Sequence, residues 1–192
     1  MAKSIRIGSG LLKNKKLLVP PGQALRPTAS RVRAALFDRL QHAFTSYNFK
    51  LNGACVADLF SGTGALGIEA LSHGAAHVTF VDKHKTSIQY LQKNINSLSL
   101  SLNTKVLHLD VMALPKSQIA YDLAFLDPPY GKNFIQPSIE HLLKKNWLKP
   151  NTLLVIETEK EAILDLPEKF SINSRRVYGL SKITFVILKT LF

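Results

Sequence analysis

The chain has 192 residues, 46% of them hydrophobic, and a formal net charge of +12. That is enough apolar material for one buried core and argues against a disordered chain. A single cysteine, Cys55, rules out a disulfide within the chain and suits a reducing cytoplasm, the Met1-Ala2-Lys3-Ser4 start lacks the apolar stretch of a signal peptide, and no run approaches membrane-spanning length.

The charge is uneven. Residues 1–50 hold ten Lys or Arg and one acid, Asp38, for +9, whereas the remainder holds fifteen basic and twelve acidic residues, for +3. A basic N-terminal region on a near-neutral body suggests an arm for a polyanion. Short apolar pieces around Gly8, Gly10 and Asn14, before Pro20-Pro21-Gly22, predict a small β-hairpin in residues 1–25. Thr28 or Ser30 then caps a helix with Val32, Leu36, Leu40 and Phe44 on one face. Residues 1–50 thus form a basic arm and helix, and 51–192 the main domain. Cys55, in an apolar run, reads as a small buried thiol. The six histidines show no metal-ligand spacing.

After the Asn52-Gly53 turn the pattern alternates. Strands are predicted at Ala54–Phe60, His77–Asp82, Lys105–Asp110, Asp122–Asp127 and Thr152–Glu157. Helices are predicted at Ala65–His73, Thr86–Leu98 and Ile135–Lys145. The strands are unbroken apolar runs, as a parallel sheet covered on both faces requires. Residues 170–178 and 183–191 predict a closing antiparallel pair around Gly179-Leu180-Ser181. The fold class is α/β: an open, mostly parallel, Rossmann-like sheet with antiparallel C-terminal strands, whose ligands sit at the carboxyl ends of the strands.

Asp58, Asp82, Asp110 and Asp127 lie at the ends of successive strands and would share that edge. The first strand enters a G-x-G-x-x-G loop of Gly62, Gly64 and Gly67, with Asp82 twenty residues after Gly62. Alone, this fits a dinucleotide site. Asp58 separates the options, because a carboxylate beside the loop repels pyrophosphate and favours the cationic groups of S-adenosylmethionine. Asp82 then accepts from ribose hydroxyls, and Asp110, with Val111 and Met112, takes the adenine. Phe60, Ser61, Lys83 and Asp127 complete the expected cofactor set.

Asp127-Pro128-Pro129-Tyr130 is the most specific motif. Two prolines remove two backbone donors and leave only acceptors. The Asp127 carboxylate and the Pro128 carbonyl can hold the N–H groups of an exocyclic base amine and localise its lone pair, and Tyr130 can stack the base. Arg26, Arg31 and Arg33 are candidate contacts to RNA phosphate or the cofactor carboxylate, and Lys13, Lys15 and Lys16 further phosphate contacts.

The run Asp58-Leu59-Phe60-Ser61-Gly62-Thr63-Gly64-Ala65-Leu66-Gly67, with Asp127-Pro128-Pro129-Tyr130 and Arg26-Pro27-Thr28-x-x-Arg31-Val32-Arg33, resembles the RsmD family. These are bacterial guanine-N2 methyltransferases of small-subunit ribosomal RNA. Ala29-Ser30 stands where the family has Thr-Asp, and Asp82 where it has Glu. The resemblance implies a class I methyltransferase fold, S-adenosylmethionine as methyl donor, and a cytoplasmic monomer acting on the assembling or assembled small subunit. A DNA adenine-N6 methyltransferase would use the same four-residue motif, though the chain is short for an added DNA-recognition domain. A protein glutamine methyltransferase usually has Asn in place of Asp127. A nucleic-acid binding module with a vestigial fold is opposed by the intact acids at all four strand ends.

Overall fold

The computed structural model describes residues 4–21, 27–44, 47–129, 131 and 133–189, with the backbone alone at 27–29. The elements in order are β1 (Ser4–Arg6), β2 (Lys16–Leu18), α1 (Pro27–His42), β3 (Cys55–Leu59), α2 (Ala65–Ser72), β4 (His77–Asp82), α3 (Lys85–Ser97), β5 (Thr104–His108), β6 (Tyr121–Leu126), α4 (Ile135–Lys144), β7 (Leu148–Glu159), β8 (Phe170–Tyr178) and β9 (Ser181–Leu188). Seven strands form one sheet in the order β5-β4-β3-β6-β7-β9-β8, and β1 and β2 form a separate antiparallel hairpin. The first five strands of the sheet are parallel, and β9 runs antiparallel to both β7 and β8. The predicted fold class is therefore the observed one. The carboxyl ends of β3, β4, β5, β6 and β7 share one edge, and the β8–β9 turn joins them there because Ser181 pairs with Glu159.

Differences from the predicted elements are small and have local causes. The last strand begins at Ser181 rather than 183, because Ser181 pairs with Tyr178 and leaves a turn of only Gly179-Leu180. β7 begins at Leu148 rather than Thr152, because Leu148 pairs with Tyr121 across an irregular stretch. Cys55 opens β3 and is half-buried.

Strand alternation divides the core. Val56, Phe80, Leu123, Phe125 and Val155 pack with α1, α2 and α3, whereas Leu59, Ala124, Leu126 and Ile156 pack with α4 and Trp147. Gly67 lets α2 lie directly on the sheet, since a Cβ there would stand 2.3 Å from the Phe80 ring. No helix among the described residues is long and apolar enough to cross a membrane.

The hairpin is present, but it is not a free arm. Ile7 and Leu17 belong to the same core as α1 and the sheet. Gly8 N–H donates to Glu69 Oε1 at 3.0 Å, and Leu18 N–H donates to Asn94 Oδ1 at 2.8 Å. Asn94, fully buried, also donates from Nδ2 to the carbonyls of Leu18 and Thr63, each at 3.1 Å. Arg33 donates from Nε to Glu69 Oε2 at 2.9 Å and from Nη2 to the Arg6 carbonyl at 2.7 Å. The expectation that Arg33 contacts RNA is thereby corrected: its guanidinium is committed to an internal ion pair joining hairpin, α1 and α2.

Removing one partner of a buried pair leaves the other charged and unsatisfied. Glu69→Ala should therefore lower unfolding stability by roughly 3–5 kcal/mol, measured by urea denaturation, well beyond the ~0–1 kcal/mol of an exposed pair.

Candidate active site

A cavity of about 910 Å³ opens at the carboxyl edge of the sheet. Its floor is the β3–α2 loop, with Phe60, Ser61, Gly62 and Thr63. Asp82, Lys83 and His84 come from the end of β4, Asp110 and Val111 from beyond β5, and Asp127, Pro128 and Pro129 from the end of β6. The structure thus brings together nearly all the residues predicted from the strand ends. Gly64 stands just behind, at the N-cap of α2, in a left-handed conformation with φ +86°. Tyr130 lies outside the described residues, as does Arg26.

The loop is shaped for close approach. Phe60 leaves β3 with φ +63°, a conformation that a bulky side chain adopts only under tertiary constraint. Gly62, at φ +55°, has nothing within 4 Å of where a Cβ would stand. The Ser61 hydroxyl is buried and finds no hydrogen-bond partner among the described residues. A gap beside Gly62 and an unsatisfied hydroxyl at Ser61 are what a bound ligand would complete. Asp82 is held rigidly, accepting Gly62 N–H at 2.8 Å on Oδ2 and His84 N–H at 2.7 Å on Oδ1. Each oxygen keeps a lone pair for a ligand hydroxyl.

Asp110 accepts from Met112 N–H at 2.9 Å and pairs with Lys83 Nζ at 3.2 Å. These contacts, the backbone bond first, hold its carboxyl below the usual carboxylate range. Lys83 also lies 5.4 Å from the centroid of Phe134, which sits 6.1 Å from the Phe60 ring. Val111 is buried and lines the cavity, whereas Met112 does not and lies within 4.0 Å of Ser138 on α4.

Asp58 requires a correction. It was expected to face the ligand from beside the loop. Strand alternation instead turns its side chain under α2, where it is 2% exposed and accepts Gly67 N–H at 2.8 Å. It is not among the residues lining the cavity. Burial, the larger cause, and the nearby Asp82 push its carboxyl up to about 7, against the opposing pull of the Gly67 bond.

Glu157, on β7, is the acid that sequence reasoning passed over. It lines the cavity with Asp127, and both continue the sheet face of Val155 and Phe125. The cavity thus presents four carboxylates, Asp82, Asp110, Asp127 and Glu157. Of the lysines and arginines lining it, Lys83 is paired with Asp110 and Arg33 with Glu69. Such a lining suits a cation and opposes a pyrophosphate, so the wall's charge, rather than Asp58, is what counts against a dinucleotide. Lys13 and Lys15 are exposed on the hairpin, and its tip, where Leu11 N–H meets the Ser72 carbonyl, lies at the end of α2 remote from the cavity. Lys16 and Arg31 are also exposed.

A glycine loop after β3, acids at successive strand ends and an antiparallel β9 inserted beside β7 define the fold as that of a class I methyltransferase. Residues 5–187 match the family model described as Conserved hypothetical protein 95. The chain is 37% identical to Ribosomal RNA small subunit methyltransferase D of Haemophilus influenzae, covering 92% of this chain and 90% of that one. It is 33% identical to the protein of the same name from Escherichia coli K12, covering 91% and 85%. The solved structure of yhhF from Escherichia coli superposes with a TM-score of 0.86 at 31% identity, covering 98% of this chain and 100% of that one. The chain belongs to the RsmD family.

The burial of Asp58 has a pH consequence. Its folded value, about 7, lies above the ordinary 3.8, so between these values the folded protein holds a proton that the unfolded chain releases. This group's contribution to stability is complete below about pH 4 and is lost as pH rises through 7, by at most ~4 kcal/mol. Asp58→Asn should remove that fall while keeping an acceptor for Gly67 N–H. Urea unfolding of both proteins from pH 4 to 8 checks this, and parallel curves would contradict it.

Proposed function

We propose that this protein transfers a methyl group from S-adenosylmethionine to the exocyclic N2 amine of a guanine in small-subunit ribosomal RNA. The observation that carries the reading is the Asp127-Pro128-Pro129 segment at the end of β6, opening into the same cavity as the Gly62 loop and Asp82. The names of the curated relatives support ribosomal RNA as the substrate.

The loop residues hold the methyl donor. Gly62 leaves room for its backbone, Ser61 offers a hydroxyl, Asp82 accepts from ribose, and Asp110 with Val111 takes the adenine. S-adenosylmethionine, when bound, supplies a methyl group on a cationic sulfur. Asp127 and the Pro128 carbonyl accept the two N–H groups of the base amine and aim its lone pair into the cavity. As positive charge develops on that nitrogen, the Asp127 carboxylate stabilises it. Tyr130 stacks on the base, which must leave its own stack to reach the cavity. The cofactor reading predicts that Asp82→Ala weakens S-adenosylmethionine binding in calorimetry. Binding of NAD instead, with none of S-adenosylmethionine, would refute it.

Asp127→Ala should fold and bind S-adenosylmethionine yet lose turnover by on the order of 10²-fold or more, as deletion of a transition-state hydrogen-bond partner does elsewhere. Asp127→Asn keeps one acceptor oxygen and loses the charge, so near-normal turnover in that variant would make positioning, not charge, the role of Asp127. Mapping methylated nucleotides in small-subunit RNA from cells with and without the gene tests the substrate. N2-methylguanosine is the expected product, and N6-methyladenosine in its place would favour the adenine alternative.

A further inference from the structure

The β8–β9 hairpin ends at the cavity. Tyr178, Gly179, Leu180 and Ser181 line the cavity on the side away from the glycine loop. The turn is two residues long, with Gly179 at φ +60°, and it is tied to the end of β7 by Lys160 N–H donating to the Leu180 carbonyl at 2.9 Å. On this rigid tip the Leu180 side chain is 83% exposed. Of the other exposed leucines, Leu11 and Leu102 lie away from the cavity, and Leu109, which lines it, is 36% exposed.

A register irregularity aims the strand that leads to the tip. Phe170 and Ile172 of β8 point into the core on the α4 face, paired with Leu188 and Val186. The register then shifts between Ile172 and Ser174, so that Ser174 and Arg176 pair with Phe185 and Ile183, which belong to the α1-side core. An extra residue in one strand reverses the face of everything after it. Without it, Arg176 and Tyr178 would face α4. With it, Ser174 accepts from Arg39 Nη2 of α1 at 2.9 Å, and Tyr178 packs on the α1-side core.

Two exposed cations stand on the elements that reach the cavity. α1 approaches the cavity with its N-terminal half, since Val32, Arg33 and Leu36 line it, and β8 approaches with its C-terminal end. Arg31 lies near the N-terminal end of α1, and Arg176 lies two residues beyond Ser174 on the same face of β8. Both are exposed, and the one hydrogen bond that the described residues give Arg176 goes to its neighbour's carbonyl, Arg175 O, at 2.9 Å. Guanidinium groups on an exposed rim above an acidic cavity fit a polyanion whose phosphates stay outside while one uncharged base enters.

We infer that the end of the β8–β9 hairpin is an RNA-binding element, in which Arg176 grips a backbone phosphate and Leu180 fills the gap left in the base stack when the target base enters the cavity. Unstacking a base costs free energy, and proteins that separate stacked bases commonly insert an apolar side chain to offset it. A leucine on a pinned two-residue turn beside the cavity is suited to this, because little entropy is lost on insertion. The inference rests on the RNA methyltransferase reading above and adds residues to it.

The test uses the full chain, with small subunits lacking the modification and the deproteinised RNA from them, scoring whichever the wild type methylates. Leu180→Ala, Leu180→Met and Arg176→Glu should melt at the wild-type temperature and bind S-adenosylmethionine as the wild type does. Arg176→Glu should raise KM for RNA by ~tenfold or more and reduce the salt slope of binding by about one, with kcat nearly kept. Leu180→Ala should lower kcat by on the order of tenfold with KM nearly kept, and Leu180→Met should restore most of it. If the wild type methylates RNA while Leu180→Ala keeps kcat within about twofold, or Arg176→Glu keeps KM and salt slope, the inference is wrong and the proposed function stands. If the wild type methylates neither substrate, the proposed function itself fails and this inference with it.

Discussion

A guanidinium and a carboxylate can share a protein interior only when nearly every donor and acceptor they carry is used. Arg33 and Glu69 approach that condition by drawing three separate pieces of chain together. Glu69 accepts from Arg33 on one oxygen and from Gly8 N–H on the other, while Arg33 reaches on to the Arg6 carbonyl. The hairpin, α1 and α2 are thereby fixed to one another at a single point. Because α2 follows the glycine loop directly and α1 walls the cavity, the geometry of the site depends on that point. Asn94 fixes a second point, linking the Leu18 backbone to the Thr63 carbonyl within the loop itself.

The cavity therefore has two kinds of wall. One is the carboxyl edge of a parallel sheet, where the ends of β4, β5, β6 and β7 each bring an acid. The other is built from what flanks the sheet: Ile5 and Val19 of the hairpin segment, Val32 and Leu36 of α1, and the β8–β9 turn. The first wall supplies charge and the second supplies shape. Cationic side chains near the cavity are paired away, Arg33 with Glu69 and Lys83 with Asp110, whereas those on the outer rim are exposed. Negative potential inside and positive potential at the mouth is the arrangement expected where a small cation and a large polyanion must meet.

The sheet, its helices and three of the strand-end acids, Asp82, Asp110 and Asp127, were legible in the sequence, because burial on both faces writes itself as short apolar runs and a carboxylate at the end of such a run has only one edge to occupy. Asp127 could be placed for that reason. Asp58 could not, since its side chain leaves the strand two residues before the loop, and alternation, not proximity in sequence, decides which way it faces. Arg33 was misread because counting charges does not show which are neutralised internally. Glu69 sits mid-helix, where its spacing resembles that of any exposed acid. Glu157 closed the predicted strand Thr152–Glu157 and the strand-end rule would have found it, whereas the face of Arg176 depends on an irregularity that no composition or periodicity announces.

That irregularity has a further consequence at the margin of the sheet. Among the described residues, β8 is an outermost strand, bonded only to β9. Outermost strands offer unpaired backbone groups to any other extended chain, and long, flat, apolar ones recruit it into aggregates. A register shift near the middle of β8 interrupts its regularity, and Arg175 and Arg176 immediately after it place two like charges where an identical strand would have to dock. An irregular, charged β8 is a poor template for a second copy, so that smoothing β8 in an engineered variant would be expected to lower its solubility before it altered its fold.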